Sequence, residues 1–177
     1  NTCQGTILAF FKDPAINKPY EPGSVLKIIT IGAGLDSGAI TPESLFDDPG
    51  QLELGEYVFR NADRKAHGQV TATDILALSL NVGVAQVGQE TGRDTFYKYL
   101  PRFGFGRKTG VDLAYEMDGQ MKFPGDPNWS PSDFIANTFG QGISVTPLQM
   151  TSAVAAVAND GLLMRPYVVH GLVEHGR

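Results

Sequence analysis

Ser24 and Lys27 stand three residues apart in the stretch Tyr20-Glu-Pro-Gly-Ser-Val-Leu-Lys27, the first spacing in the chain that could do chemistry. On a helix, residues three apart share a face, so a hydroxyl and an amine can come within hydrogen-bond reach. A serine hydroxyl is a weak nucleophile until something takes its proton. An ammonium cannot take it unless burial lowers the lysine pKa toward neutrality. The next eight residues, Ile28-Ile-Thr-Ile-Gly-Ala-Gly-Leu35, carry no charge, so Lys27 heads a segment suited to burial. A helix N-terminus would also favour the negative charge that develops when the hydroxyl attacks a carbonyl. The plain alternative is that Ser24 caps the helix and Lys27 extends to water. With 8 Ser and 7 Lys in 177 residues, a Ser-x-x-Lys arises by chance about 0.3 times per chain, so alone it carries little.

Ser79-Leu80-Asn81 adds to it. It follows a helical pattern and interrupts it, and two short polar side chains flanking Leu80 can project together into a cleft. Ser79 would relay a proton and Asn81 would bind a substrate amide. The competing reading is a helix-breaking pair bonded to its own backbone.

The elements that must position these residues are many and short, because Gly 21 and Pro 11 punctuate the chain. Gly5 to Phe11 reads as a strand and Lys12 to Gly23 as a loop with three prolines. Ser24 to Leu35 reads as a buried helix, and Leu52 to Phe59 as a small hairpin around Gly55. Thr71-Ala-Thr-Asp74 has capping-box spacing and opens a helix through Leu78. Helices are predicted from Val82 to Glu90 and from Asp94 to Leu100, the latter ending before Pro101. Residues 117 to 145 read as a long irregular connection. Thr146-Pro147-Leu148-Gln149 then starts a helix running to about Asn159, with Thr at the cap and Pro at the first helical position, and Tyr167 to Val173 reads as a strand.

Composition bounds the rest. The chain is 42% hydrophobic and 19% charged, enough for one core-bearing domain, and its net charge of 14 − 19 = −5 has no block of one sign, which disfavours nucleic acid as a partner. Cys3 has no partner for an internal disulfide, and no cofactor or metal is implied. His67, His170 and His175 stand apart from one another and read as structural or solvated. Trp129 reads as a loop residue anchored on the core, and Tyr97 and Tyr99 with Phe103 as helix packing. No apolar run reaches the length of a bilayer span.

The nucleophile stretch, Ser79-Leu-Asn81, Phe103-Gly-Phe-Gly106 with Thr109-Gly-Val-Asp-Leu113, and Phe139-Gly-Gln-Gly-Ile143 with Thr146-Pro-Leu-Gln149 occur in one order. In that order they resemble the transpeptidase domain of class B penicillin-binding proteins. Gly5-Thr-Ile-Leu-Ala9 resembles the strand before the family's nucleophile loop. The resemblance implies an α/β (α+β) fold of the β-lactamase/transpeptidase kind, with helices packed around an antiparallel sheet, here helix-rich with the sheet incomplete. It implies a serine D,D-transpeptidase that cross-links peptidoglycan stem peptides ending in D-Ala-D-Ala through an acyl-enzyme on Ser24, with Lys27, Ser79 and Asn81 as catalytic partners and β-lactams as inhibitors. It also implies a place in the bacterial cell envelope, on the outer face of the cytoplasmic membrane, with membrane anchoring and cell-wall machinery partners outside this chain.

Lys108-Thr109-Gly110 spells the family's third signature, but Phe103-Gly-Phe-Gly-Arg before it suits a turn rather than a sheet edge. Lys108 is therefore expected to face solvent, away from Ser24 and Lys27. The family's own third motif follows the strand after the Thr146 helix, so residues 1–177 are expected to form a single, partial domain ending before it. A β-lactamase-like or sensor domain, and a non-catalytic peptidoglycan-binding module, are the competing classes.

Overall fold

The computed structural model describes residues 12–173, so the strand expected at Gly5 to Phe11 and the histidine at 175 lie outside the described residues. Two helices cross at the centre, α2 (Lys27–Asp36) and α4 (Asn81–Thr91). Around them stand α1 (Pro14–Asn17), α3 (Ala72–Ala77), α5 (Arg93–Arg102), α6 (Pro131–Thr138) and α7 (Pro147–Ala158). Helix α4 buries Val82, Gly83, Val84, Ala85, Val87 and Gly88, nearly its whole circumference, as a central helix must. The core that encloses both includes Leu26, Ile29, Ile75, Leu80, Phe96, Leu100, Ile135, Ile143 and Met150.

Among the described residues, four short strands, paired antiparallel, lie against this bundle. Strand β1 (Leu45–Asp48) pairs with β4 (Gly68–Thr71) in the register Phe46 opposite Val70, and β2 (Gln51–Leu54) forms a hairpin with β3 (Tyr57–Arg60). Gly55, at φ 60, turns that hairpin where the sequence places it. The box at Thr71 closes as its spacing predicts: the Asp74 N–H donates to Thr71 Oγ1 at 3.1 Å and the Thr71 N–H to Asp74 Oδ2 at 2.9 Å. Thr146 and Gln149 repeat the arrangement at the start of α7.

Several expectations are corrected. The segment before Gly23 is not all loop, because Asp13 accepts from the Ala15 N–H and starts α1. Pro101 lies inside the last turn of α5 and does not stop it. The connection 117–145 contains α6, started by Pro131 at its first position, with Asp133 accepting from the Ser130 N–H at 2.8 Å. Tyr167 to Val173 forms no strand: the Val168 and Val169 N–H groups donate to the Asp112 carboxylate at 2.6 and 2.7 Å, so no ladder uses them. Apolar β-branched residues make a strand only beside a partner edge. His67 sets its Nε2 3.0 Å from Asp63 Oδ2, four residues back.

Aromatic residues follow the packing expectation. The Trp129 indole donates to the Tyr97 hydroxyl at 2.9 Å, and Tyr97 donates to Asn137 at 3.1 Å inside the core. Tyr99 donates to Asp36 at 2.6 Å and ties α5 to the end of α2.

Candidate active site

Ser24 lies in a 3-10 turn, Gly23–Leu26, that runs directly into α2. The sequence places Ser24 on the first turn of a helix, with a capping hydroxyl as the plain alternative; that alternative fails, because the cap position is Pro22 and no side chain caps the turn. The tighter winding matters, because side chains three apart eclipse in a 3-10 turn. The Lys27 N–H donates to the Ser24 carbonyl, so Ser24 stands directly over Lys27 along the axis. Ser24 is exposed, whereas Lys27 is 1% exposed.

The turn is clamped from one side. Tyr20 and Val145 exchange backbone hydrogen bonds at 2.9 Å each, and the Gly23 N–H donates to the Gly140 carbonyl at 3.0 Å. Glu21 accepts from the Gly142 N–H at 3.0 Å. The Thr30 hydroxyl, completely buried, donates to the Thr138 carbonyl at 2.7 Å and locks α2 to the end of α6. The stretch Phe139-Gly-Gln-Gly-Ile143 thus serves as the wall against which the nucleophile turn is set. An open cavity of about 630 Å³, bordered by Glu21, Phe59, Asp133 and Gly142 among others, lies beside that wall.

Lys27, Ser79 and Asn81 meet. The Lys27 ammonium donates to the Ser79 carbonyl at 2.6 Å, to Ser79 Oγ at 3.0 Å and to Asn81 Oδ1 at 2.7 Å. Ser79 can offer both oxygens because its backbone takes φ 57, a conformation uncommon for a side-chain-bearing residue and concentrated at sites the surrounding structure over-determines. Asn81 is oriented in turn by its Nδ2, which donates to the Arg60 carbonyl at 2.8 Å. Ser24 is not hydrogen-bonded to any of the three; only its place over Lys27 associates it with them.

Burial pulls the Lys27 amine down from its ordinary value near 10.5 to about 8, and no charged neighbour contributes to the change. The three acceptors hold the ammonium. Once a proton is lost, the hydroxyl of Ser79 can turn to donate to the nitrogen, and the amine becomes able to accept. The cradle therefore suits both protonation states near neutral pH.

Sequence reasoning missed Asp48 and Asn61, and it quoted Glu21 and Gly140 only within longer stretches, with no role of their own. Asp48 stands before Pro49-Gly50 and Asn61 two residues after Phe59, and nothing in their spacing links them to residue 81. Lys108-Thr109-Gly110 is no part of the site. It follows α5 on no strand, Lys108 is exposed, and the N–H groups of Thr109 and Gly110 donate to Glu116.

An exposed serine one 3-10 turn before a buried lysine, whose amine burial lowers and whose ammonium meets Ser79 and Asn81, is an arrangement suited to serine acyl transfer with lysine in place of histidine. The chain belongs to the penicillin-binding protein transpeptidase family: the family model described as the penicillin binding protein transpeptidase domain matches residues 1–176. It is 35% identical over 161 residues, 91% of this chain, to penicillin-binding protein PbpB of Mycolicibacterium smegmatis, of which it covers 24%. It is 31% identical over 181 residues, 93% of the chain, to the peptidoglycan D,D-transpeptidase MrdA of Escherichia coli K12, covering 28% of it. The crystal structure of penicillin-binding protein 3 of Mycobacterium tuberculosis, complexed with aztreonam, superposes with a TM-score of 0.80 at 36% identity over 89% of this chain and 35% of that one. The fold is therefore that of the β-lactamase/transpeptidase architecture, and the chain spans about a quarter of the length of the curated relatives it matches.

Proposed function

We propose that this chain carries the nucleophile half of a serine D,D-transpeptidase that cross-links peptidoglycan stem peptides in the bacterial cell envelope, on the outer face of the cytoplasmic membrane. The observation that carries the reading is the Lys27 cradle: a 1% exposed amine held near pKa 8 by burial, directly beneath an exposed serine. Neutral Lys27 takes the Ser24 proton as Oγ attacks the carbonyl of the penultimate D-Ala. The C–N bond to the terminal D-Ala breaks, and the proton leaves with its amine by way of Ser79 Oγ. An amine of a second stem peptide then attacks the ester, forms the cross-link and returns the proton to Ser24. Asn81 keeps one N–H and one lone pair free beyond its bonds to Arg60 and Lys27, and these meet the substrate's amide. A β-lactam follows the first half of the path and stays attached. Membrane anchoring and cell-wall machinery partners belong to the protein that carries this chain.

Mass spectrometry of the intact protein after incubation with benzylpenicillin tests the reading. A single adduct on the peptide containing Ser24, lasting hours, is expected. An adduct lost within minutes points to a β-lactamase-like hydrolase, and no adduct in the complete domain to a binding module without turnover.

A further inference from the structure

We infer that Asp48 and Asn61, two buried residues outside the acyl-transfer motifs, form a positioning pair that sets the orientation of Asn81 and through it the acceptor presented to Lys27. The inference rests on the proposed role of Lys27. Helix α4 begins at Asn81 with Leu80 at its cap position, a residue that has no side-chain acceptor to give. The first N–H groups of a helix need partners from elsewhere. Asn61 supplies one from another element: its Oδ1 accepts from the Val82 N–H at 3.1 Å. The amide faces that way with its Nδ2 satisfied behind it, where Asp48 receives it with both oxygens, at 2.9 and 2.8 Å, and the Lys65 carbonyl accepts from it at 3.1 Å. Asp48 is 0% exposed at the end of β1; its carboxylate also accepts from the Gly50 N–H at 2.8 Å, and its carbonyl from the His67 N–H at 3.0 Å.

The consequence reaches residue 81 twice. Asn61 holds the backbone directly after Asn81, and the carbonyl of the preceding residue, Arg60, accepts from Asn81 Nδ2. With Nδ2 engaged there, the opposite end of the amide, Oδ1, is the one that meets Lys27. A flipped amide would put an N–H against an ammonium and could not be tolerated. The Arg60–Asn61 step, anchored by the Asp48 carboxylate, thus decides that Lys27 sees an oxygen. Among the groups that touch the Lys27 nitrogen, Ser79 and Asn81, neither titrates. Asp48 and Asn61 touch neither Lys27 nor Ser24, so theirs is a positioning role.

The test is made on the intact protein with lysine labelled by carbon-13 at the ε position, following the Lys27 resonance against pH, together with the second-order rate of acylation by fluorescent penicillin. Asn61→Ala is expected to lower the Lys27 midpoint, because the ammonium loses a fixed acceptor, and to slow acylation about tenfold in the folded protein. Asp48→Asn keeps the shape and one acceptor oxygen, so it should move both readouts in the same direction and by less; it carries the test if Asn61→Ala does not fold. A variant that only melts earlier, with the Lys27 midpoint and the rate of the folded fraction unchanged, overturns the inference. The titration needs no acylation, so a wild-type protein that forms no adduct, together with a lowered Lys27 midpoint in Asn61→Ala, would overturn the transpeptidase reading and leave the positioning pair standing.

Discussion

Gly23 and Gly140 meet backbone to backbone. The Gly23 N–H donates to the Gly140 carbonyl at 3.0 Å, Gly140 holds φ 80, and a β-carbon on it would overlap the Gly23 carbonyl oxygen and lie 2.6 Å from the Gly23 nitrogen. Neither partner can yield without moving the turn that carries Ser24. Gly140→Ala should therefore lower the rate of penicillin acylation by about tenfold or more, since a shift of ~1 Å at a reacting group can cost a hundredfold. Stopped-flow or gel-based labelling checks it, and an unaltered rate would mean that the wall at residues 139–143 does not set the nucleophile.

Ser24→Ala should abolish covalent labelling while leaving stability within ~0.5 kcal/mol of the parent. The side chain is exposed and makes no hydrogen bond among the described residues, so its loss removes chemistry and little else. Thermal melting and fluorescent-penicillin labelling on the same sample separate the two effects. Labelling that survives would place the nucleophile elsewhere.

Lys27 yields a pH prediction with a definite sign. If neutral Lys27 is the base, the acylation rate should rise with pH through a midpoint at about 8. The same group acts on stability. Its amine is near 8 when folded and 10.5 when unfolded, so between those values the unfolded chain binds more protons and stability climbs with pH. Below pH 8 the whole penalty is present. Lys27→Arg should flatten the rate profile and slow acylation nearly as much as Lys27→Ala, because a guanidinium stays protonated. A Lys27→Arg protein that keeps most of the rate would make Lys27 an electrostatic residue.

The two capped helices at Thr71 and Thr146 and the hairpin at Gly55 were legible because their signals are local: a hydroxyl, a carboxamide or a glycine acting within four residues. Helix α6 carried the same kind of signal in Ser130-Pro131-Ser132-Asp133, and the density of Gly and Pro around it obscured it. Ser24, Lys27, Ser79 and Asn81 could be singled out by type and spacing. The contact of Lys27 with residues more than fifty positions away could not, because it exists only once α2 and α4 cross. Asp48 and Asn61 lay further from reach: one buried Asp and one buried Asn in turn sequences look like any turn until β1 and β3 set them beside the start of α4. The expected strand at Tyr167 was misread for the converse reason, since residue type was right for a strand while Asp112 held its N–H groups.

The last prediction concerns Lys108-Thr109-Gly110, whose letters match a catalytic signature. Three donors from this stretch, the Thr109 N–H, the Thr109 hydroxyl and the Gly110 N–H, converge on the carboxylate of Glu116, which is 8% exposed. Arg165 donates to the Gly110 carbonyl at 2.7 Å and Gln149 to the Arg107 carbonyl at 2.7 Å, so the loop is held from both sides while Lys108 itself points outward with no ion pair among the described residues. Lys108→Ala should then leave both acylation and stability unchanged, within ~0.5 kcal/mol for the latter. Glu116→Ala should behave oppositely in stability, costing about 2 kcal/mol by leaving three donors without their acceptor, while the folded protein still acylates at the parental rate. Chemical denaturation and penicillin labelling of the two variants decide between the readings. A Lys108→Ala protein that folds normally and no longer acylates would make this lysine part of the site and overturn its assignment as a loop residue held by Glu116.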